Sequence, residues 1–194
     1  MKNSTEKEKI IKTLRECLIN KDTQVSTTET HEEIFAPYKD DPVMVFAEKF
    51  SIENGHFVYC QSEKELFEKL KTLAGYRSWD SYNAYSANLQ SYLESNGIKA
   101  SMADHNSSVG ISICQGIVAN TGSIIITSTQ GAGETLIHFP QIMIVIAMTS
   151  QIYTSYKQIL NLLPEIPPKW IMSIKSGKLI KEEIQELYMF VVDE

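Results

Sequence analysis

Apolar positions recur at helical spacing in the first half of the chain and run together in the second. Ile10, Ile11, Leu14, Cys17 and Leu18 follow a Thr5–Glu8 capping box and predict an amphipathic N-terminal helix. The polar stretch Lys21–Thr30 breaks that pattern and reads as a connector. In DDPVMVFAEKFSIENG, residues 40–55, Asp41 is a cap, Pro42 sits at the first helical position and Gly55 is a stop. HFVYC, His56–Cys60, reads as a short strand. Ser62 and Glu65 form a second capping box, opening a helix through Leu66, Phe67, Leu70 and Leu73 that ends at Gly75. A further helix is expected over Asn83–Ser95, stopped by Asn96-Gly97.

From His105 to Pro164 the only formally charged residues are Glu134 and Lys157, and five of the nine glycines fall between Gly110 and Gly133. VGISICQGIVA, SIIITST and IMIVIAM are β-branched runs, too short for helices and almost unbroken by polar residues, as in strands buried on both faces. Ile152, Tyr156, Ile159 and Leu163 predict a helix over about 151–163, closed by Pro164. LYMFVVD, Leu187–Asp193, predicts a last strand. Strands alternating with helices imply an α/β fold, a parallel-rich mixed sheet flanked by helices. The expected organisation is an N-terminal helix and connector over 1–30 and a single α/β domain over 31–194.

Composition narrows the function classes. A net charge of −6, with Arg15 and Arg77 the only arginines, argues against a nucleic-acid partner. The longest apolar run, Ile142–Met148, is far short of the roughly 20 residues of a membrane span, and MKNSTEKEKI has no apolar core of a signal peptide. Cys17, Cys60 and Cys114 are odd in number, widely spaced and without a CxxC pair, which suits a cytoplasmic protein with no cluster or disulfide framework of its own. The four histidines have no metal-binding spacing.

Candidate chemistry concentrates in ANTGSIIITSTQGAGETLIHFP, Ala119–Pro140. Gly131 and Gly133 permit close backbone approach, so the loop is either an anion cradle at a strand end or an ordinary turn. No lysine follows the second glycine, and Leu136 fills the third glycine position, which excludes a Walker loop and a dinucleotide fingerprint. Glu134 is either an exposed loop carboxylate or a buried base or nucleophile. His138 faces it if the segment turns helically, and is otherwise a hydrogen-bonded structural residue. Asp104 and His105 in ADHNSS suit turn chemistry better than a catalytic pair. Cys114 alternates with isoleucines and reads as a core thiol.

VGISICQGIVANTGSIIITSTQGAGETLIHFPQIMIVIAMTSQI resembles the LUD domain, the family of lactate-utilisation protein C. The correspondence lies in Gly110-Ile111, Ile117–Ala119, Thr121-Gly122-Ser123, and Phe139-Pro140 with Ile142–Val145. The resemblance implies a fold like the glucosamine-phosphate isomerase, ribose-phosphate isomerase and CoA-transferase group, with ligands at glycine-rich strand ends. It implies a ligand-facing edge of Asn120, Thr121, Gly122, Ser123, Ser128, Gln130, Gly131, Gly133, Glu134 and His138. It also implies an accessory role in cytosolic lactate, or related hydroxy-acid, utilisation beside iron–sulfur partner subunits. No cofactor is expected within this chain; a small anionic ligand and a homodimer are open to it. The alternative is a small enzyme or ligand-binding protein of the CoA-transferase or sugar-phosphate isomerase type. Its Gly131–Glu134 loop would act through Glu134, with Thr121, Ser123, Ser128 and Thr129 as polar contacts. The sequence departs from the family at Asn120, where an acidic residue is usual, at Glu134-Thr135, where a basic one is, and in SIKSGKLIKEEIQ, which lacks the family's C-terminal basic segment.

Overall fold

The computed structural model describes residues 41–102, 107–130, 140–176 and 184–194, all within one compact unit. The Thr5–Glu8 capping box with its helix, the Lys21–Thr30 connector, Asp104 and His105, and the loop from Gly131 to Phe139 lie outside the described residues.

Helix α1, Pro42–Ile52, begins as its punctuation predicts, with the Asp41 carboxylate accepting from the Val43 amide at 2.9 Å. The positive φ at its end belongs to Asn54, not to Gly55. Gly55 is required for another reason: a Cβ there would lie 2.4 Å from the Phe50 ring. Strand β1, His56–Cys60, follows, and then helix α2, Glu63–Arg77, capped by Ser62. This helix passes through Gly75, whose position is open to solvent, and ends where Ser78 turns left-handed. The next helix, α3, is Ala87–Ser95 and shorter than its periodicity suggests, because Tyr82–Ala84 at its front is the buried strand β2.

The second half supplies β3, Ala100–Ser101; β4, Val109–Ile113; β5, Gly116–Val118; β6, Ser123–Thr127; and β7, Ile142–Met148. It continues with β8, Ile152–Tyr153; α4, Tyr156–Asn161; β9, Ile171–Lys175; and β10, Glu186–Val192. The helix expected over 151–163 is thus reduced to its centre, since Ile152 and Tyr153 pair with Ile117 and Val118 as a strand.

Six strands form a wholly parallel sheet in the order β1-β10-β7-β4-β2-β3. Four others form a second, mixed sheet in the order β8-β5-β6-β9. Alternation along β7 and β10 sends Ile144, Ile146, Phe190 and Val192 against Leu66, Phe67 and Leu70 of α2 and Leu89 and Leu93 of α3. Met143, Val145, Met189 and Val191 point the other way, onto Phe46 and Phe50 of α1 and Ile117, Ile124, Ile126 and Ile174 of the small sheet. The outer face of the small sheet carries Val118 and Ile125 beneath Ile159 of α4. Cys114 sits in this interior, 1% exposed, and burial pushes its thiol up to about 12, so the core reading of its alternation holds.

Candidate functional site

Strand β6 has a polar group at each end, and they do different work. At its start the chain leaves β5, makes a short turn over Ala119–Thr121, and enters β6 through Gly122 at φ +61°. Ile124 and Ile126 face the core, so Ser123 and Thr127 share the outer face with Ile125. Antiparallel pairing places Ser173 of β9 opposite Ile125 and Lys175 opposite Ser123. Helix α4 lies over that face. Its start is tied down by Gln158, whose carbonyl accepts from the Thr154 amide at 2.8 Å and the Thr154 hydroxyl at 2.9 Å.

Tyr156, first residue of α4, reaches into this corner and donates to Ser123 Oγ at 2.6 Å. Thr121 donates to the same oxygen at 2.8 Å, and the Tyr156 and Ser173 hydroxyls lie 3.1 Å apart. Burial raises the Tyr156 phenol, but hydrogen bonds to Ser123, Ser173 and Thr121, with the nearby Lys175 charge, outweigh it and bring its pKa below the ordinary 10.0. Four hydroxyls and one ammonium can hold a small carboxylate or hydroxy acid, and a phenol so placed exchanges a proton more readily than a free tyrosine.

This perturbation is measurable. Burial pushes Tyr82, Tyr85, Tyr92 and Tyr188 up to about 12. Alkaline titration followed by near-ultraviolet absorbance should therefore show phenolate forming before the ordinary range, and Tyr156→Phe should remove that early component. The folded pKa lies below the unfolded one, so the shift stabilises the fold above the ordinary 10.0 and is lost as pH falls through the folded value.

At the far end of β6, about 13 Å away at the rise of an extended strand, polar groups are spent on the fold. Gln130 accepts from the Thr127 amide at 2.8 Å and donates to Gln115 at 2.6 Å. Ser128 Oγ accepts from the Lys169 amide at 2.8 Å, and Thr129 bonds the Thr127 hydroxyl at 2.7 Å.

The residues expected to face a ligand are therefore divided. Thr121 and Ser123 meet in the hydroxyl corner, with Gly122 between them, while Ser128 and Gln130 lie at the opposite end. The Asn120 side-chain oxygen is buried with no hydrogen-bond partner. Gly131, Gly133, Glu134 and His138 are outside the described residues. Sequence reasoning missed Tyr156, Ser173 and Lys175. Tyr156 falls on the apolar face of the helix that its spacing predicts, and the other two lie in β9, a strand that no local pattern marks. Among the described residues no cluster of His, Cys, Asp or Glu has the makings of a metal site.

These features define a two-sheet α/β domain with a hydroxyl-rich corner at the start of a central strand of its smaller sheet. The chain belongs to the LUD domain family, whose model matches residues 80–177, half of the chain, and that stretch contains the whole corner. A DUF162 family protein from Deinococcus radiodurans, known from its crystal structure, has a similar fold: the TM-score is 0.60 at 14% identity, over 78% of this chain and 96% of that one. No curated protein matches the chain.

Proposed function

We propose that this LUD-domain protein is an accessory subunit of cytosolic lactate, or related hydroxy-acid, utilisation. The observation that carries the reading is the corner itself. Tyr156, Ser123, Thr121 and Ser173 form a linked hydroxyl group beside Lys175, inside the family-matched residues. A short hydroxy acid presents a carboxylate to the ammonium and a hydroxyl to the phenol, and the matching oxo acid presents a carbonyl in the same place. The chain supplies binding, while electrons pass through iron–sulfur partner proteins, since three scattered cysteines do not make a cluster ligand set.

Calorimetric titration with L-lactate and pyruvate tests the site. Binding of either is expected, weakened about tenfold or more by Lys175→Ala or Tyr156→Phe, the scale of one charge-assisted hydrogen bond. Purification from the native host should bring an iron–sulfur protein with it. Absence of binding to both acids, or binding indifferent to both substitutions, would remove this reading. A response to CoA esters or sugar phosphates instead would favour the enzyme alternative.

A further inference from the structure

A second group of side chains lies outside the family-matched stretch. A groove of about 650 Å³ runs between edge strand β1 and helix α2, within the ~300–1,000 Å³ span usual for small-molecule sites. Its floor and walls are largely apolar and aromatic: Phe57, Val58, Leu73, Tyr76, Tyr188 and Phe190. Tyr76 stands 85% exposed at the groove, an aromatic ring with little packing of its own.

The charged lining is of one sign. Among the described residues, the side chains there that can carry positive charge are His56 and Lys69, and no carboxylate lines the groove, in a protein of net charge −6. Lys69 is matched by Glu65 at 2.8 Å and donates to the Tyr59 carbonyl at 2.6 Å. The other end is not balanced in this way. Glu186 pairs with Arg77, accepts from the Tyr188 hydroxyl at 2.7 Å, and lies 4.0 Å from His56 Nε2. One carboxylate is thus shared between Arg77 and His56. The imidazole is fixed by stacking on Tyr188, with ring centroids 4.5 Å apart, and is half exposed. Burial alone would raise the Glu186 carboxyl, but Tyr188, Arg77 and His56 outweigh it and hold it below the ordinary 4.5.

We propose that this groove binds a small aromatic anion, its ring system on Val58, Leu73, Tyr76 and Tyr188 and its charged group on His56. The pairing follows from the lining: apolar area favours the ring, and an imidazole that shares its carboxylate with an arginine has a donor to give an acid group. The site is independent of the hydroxyl corner and does not rest on the lactate reading.

Two fluorescent probes with the same ring system separate the terms in the full chain: anilinonaphthalene sulfonate, which is anionic, and phenylnaphthylamine, which is neutral. One saturable site is expected for each, with the sulfonate about tenfold tighter, one charge-assisted contact. Thr72→Trp, an exposed position on the groove wall, should abolish both signals. His56→Gln should erase the preference and leave phenylnaphthylamine binding unchanged, which also shows that the variant is folded. Equal affinity of the two probes in the wild type, sulfonate binding that survives Thr72→Trp, or no binding of either probe would overturn the proposal.

Discussion

Replacement of Phe50 by alanine is expected to lower the unfolding free energy by about 4 kcal/mol, the middle of the range for emptying a buried phenylalanine site. The ring is fully buried and stacked on Phe46, with centroids 5.2 Å apart. Three parts of the fold converge on this residue. Its carbonyl accepts from the Ser176 hydroxyl at 2.8 Å and from the Gly55 amide at 3.0 Å, and Gly55 packs directly against the ring. The backbone of the Gly122 turn lies against the same stretch of α1. The space left cannot be filled by local collapse, because rigid elements hold each wall. Against a typical total of ~5–15 kcal/mol, the loss should appear as a large fall in the urea midpoint with unchanged slope. Ile52→Ala, at a position 68% exposed two residues on, is the control and should stay within about 0.5 kcal/mol of the wild type. A small effect at Phe50 would mean that α1 does not close the core.

The elements most legible in the sequence are those whose local pattern and tertiary setting agree. SIIITST and IMIVIAM became β6 and β7 because strands covered on both faces need no polar alternation. Asp41-Pro42 and Ser62 mark helix starts because caps satisfy amides whatever the helix packs against. The misread elements are those where tertiary pairing overrides the local signal. Ile152 stands four residues before Tyr156 and so completes a helical stripe, yet its backbone is claimed by Ile117 across the small sheet. Tyr82–Ala84 is only three residues long and merges into the periodicity of α3. In IMSIK the exposed Ser173 and the half-buried Lys175 hide a strand that only pairing with β6 defines.

The same logic divides the site. Thr121 and Ser123 are two residues apart and were readable as a polar pair at a strand end. Tyr156 is 33 residues from Ser123, and Ser173 a further 17. Their meeting depends on the antiparallel register of β6 with β9 and on where α4 crosses the sheet. Neither is encoded in any local spacing. The groove at His56 is less legible still, since it joins the start of β1 to the start of the last strand through parallel pairing of His56 with Tyr188. Parallel neighbours far apart in sequence leave no short-range trace.

Gly122→Val is the substitution that should damage fold and site together. The residue lies at φ +61°, where a β-branched side chain is strained, and its Cβ would stand 3.0 Å from the Phe50 nitrogen and 3.1 Å from the Lys49 carbonyl carbon. Both obstacles are helix backbone, which cannot turn aside as a side chain would. Left-handed strain and overpacking together are expected to cost about 3 kcal/mol. Relief of the clash must displace the turn that holds the Thr121 and Ser123 hydroxyls 2.8 Å apart, and Tyr156 then loses the serine hydroxyl that can donate to its phenolate. Gly122→Val should therefore lose both stability and the early tyrosine ionisation. Ser123→Ala should lose the early ionisation at a stability cost nearer 1 kcal/mol, the worth of an ordinary hydrogen bond. If Gly122→Val lowers stability but leaves the early ionisation intact, the turn and the phenol are not coupled, and the corner owes its geometry to α4 and β9 alone.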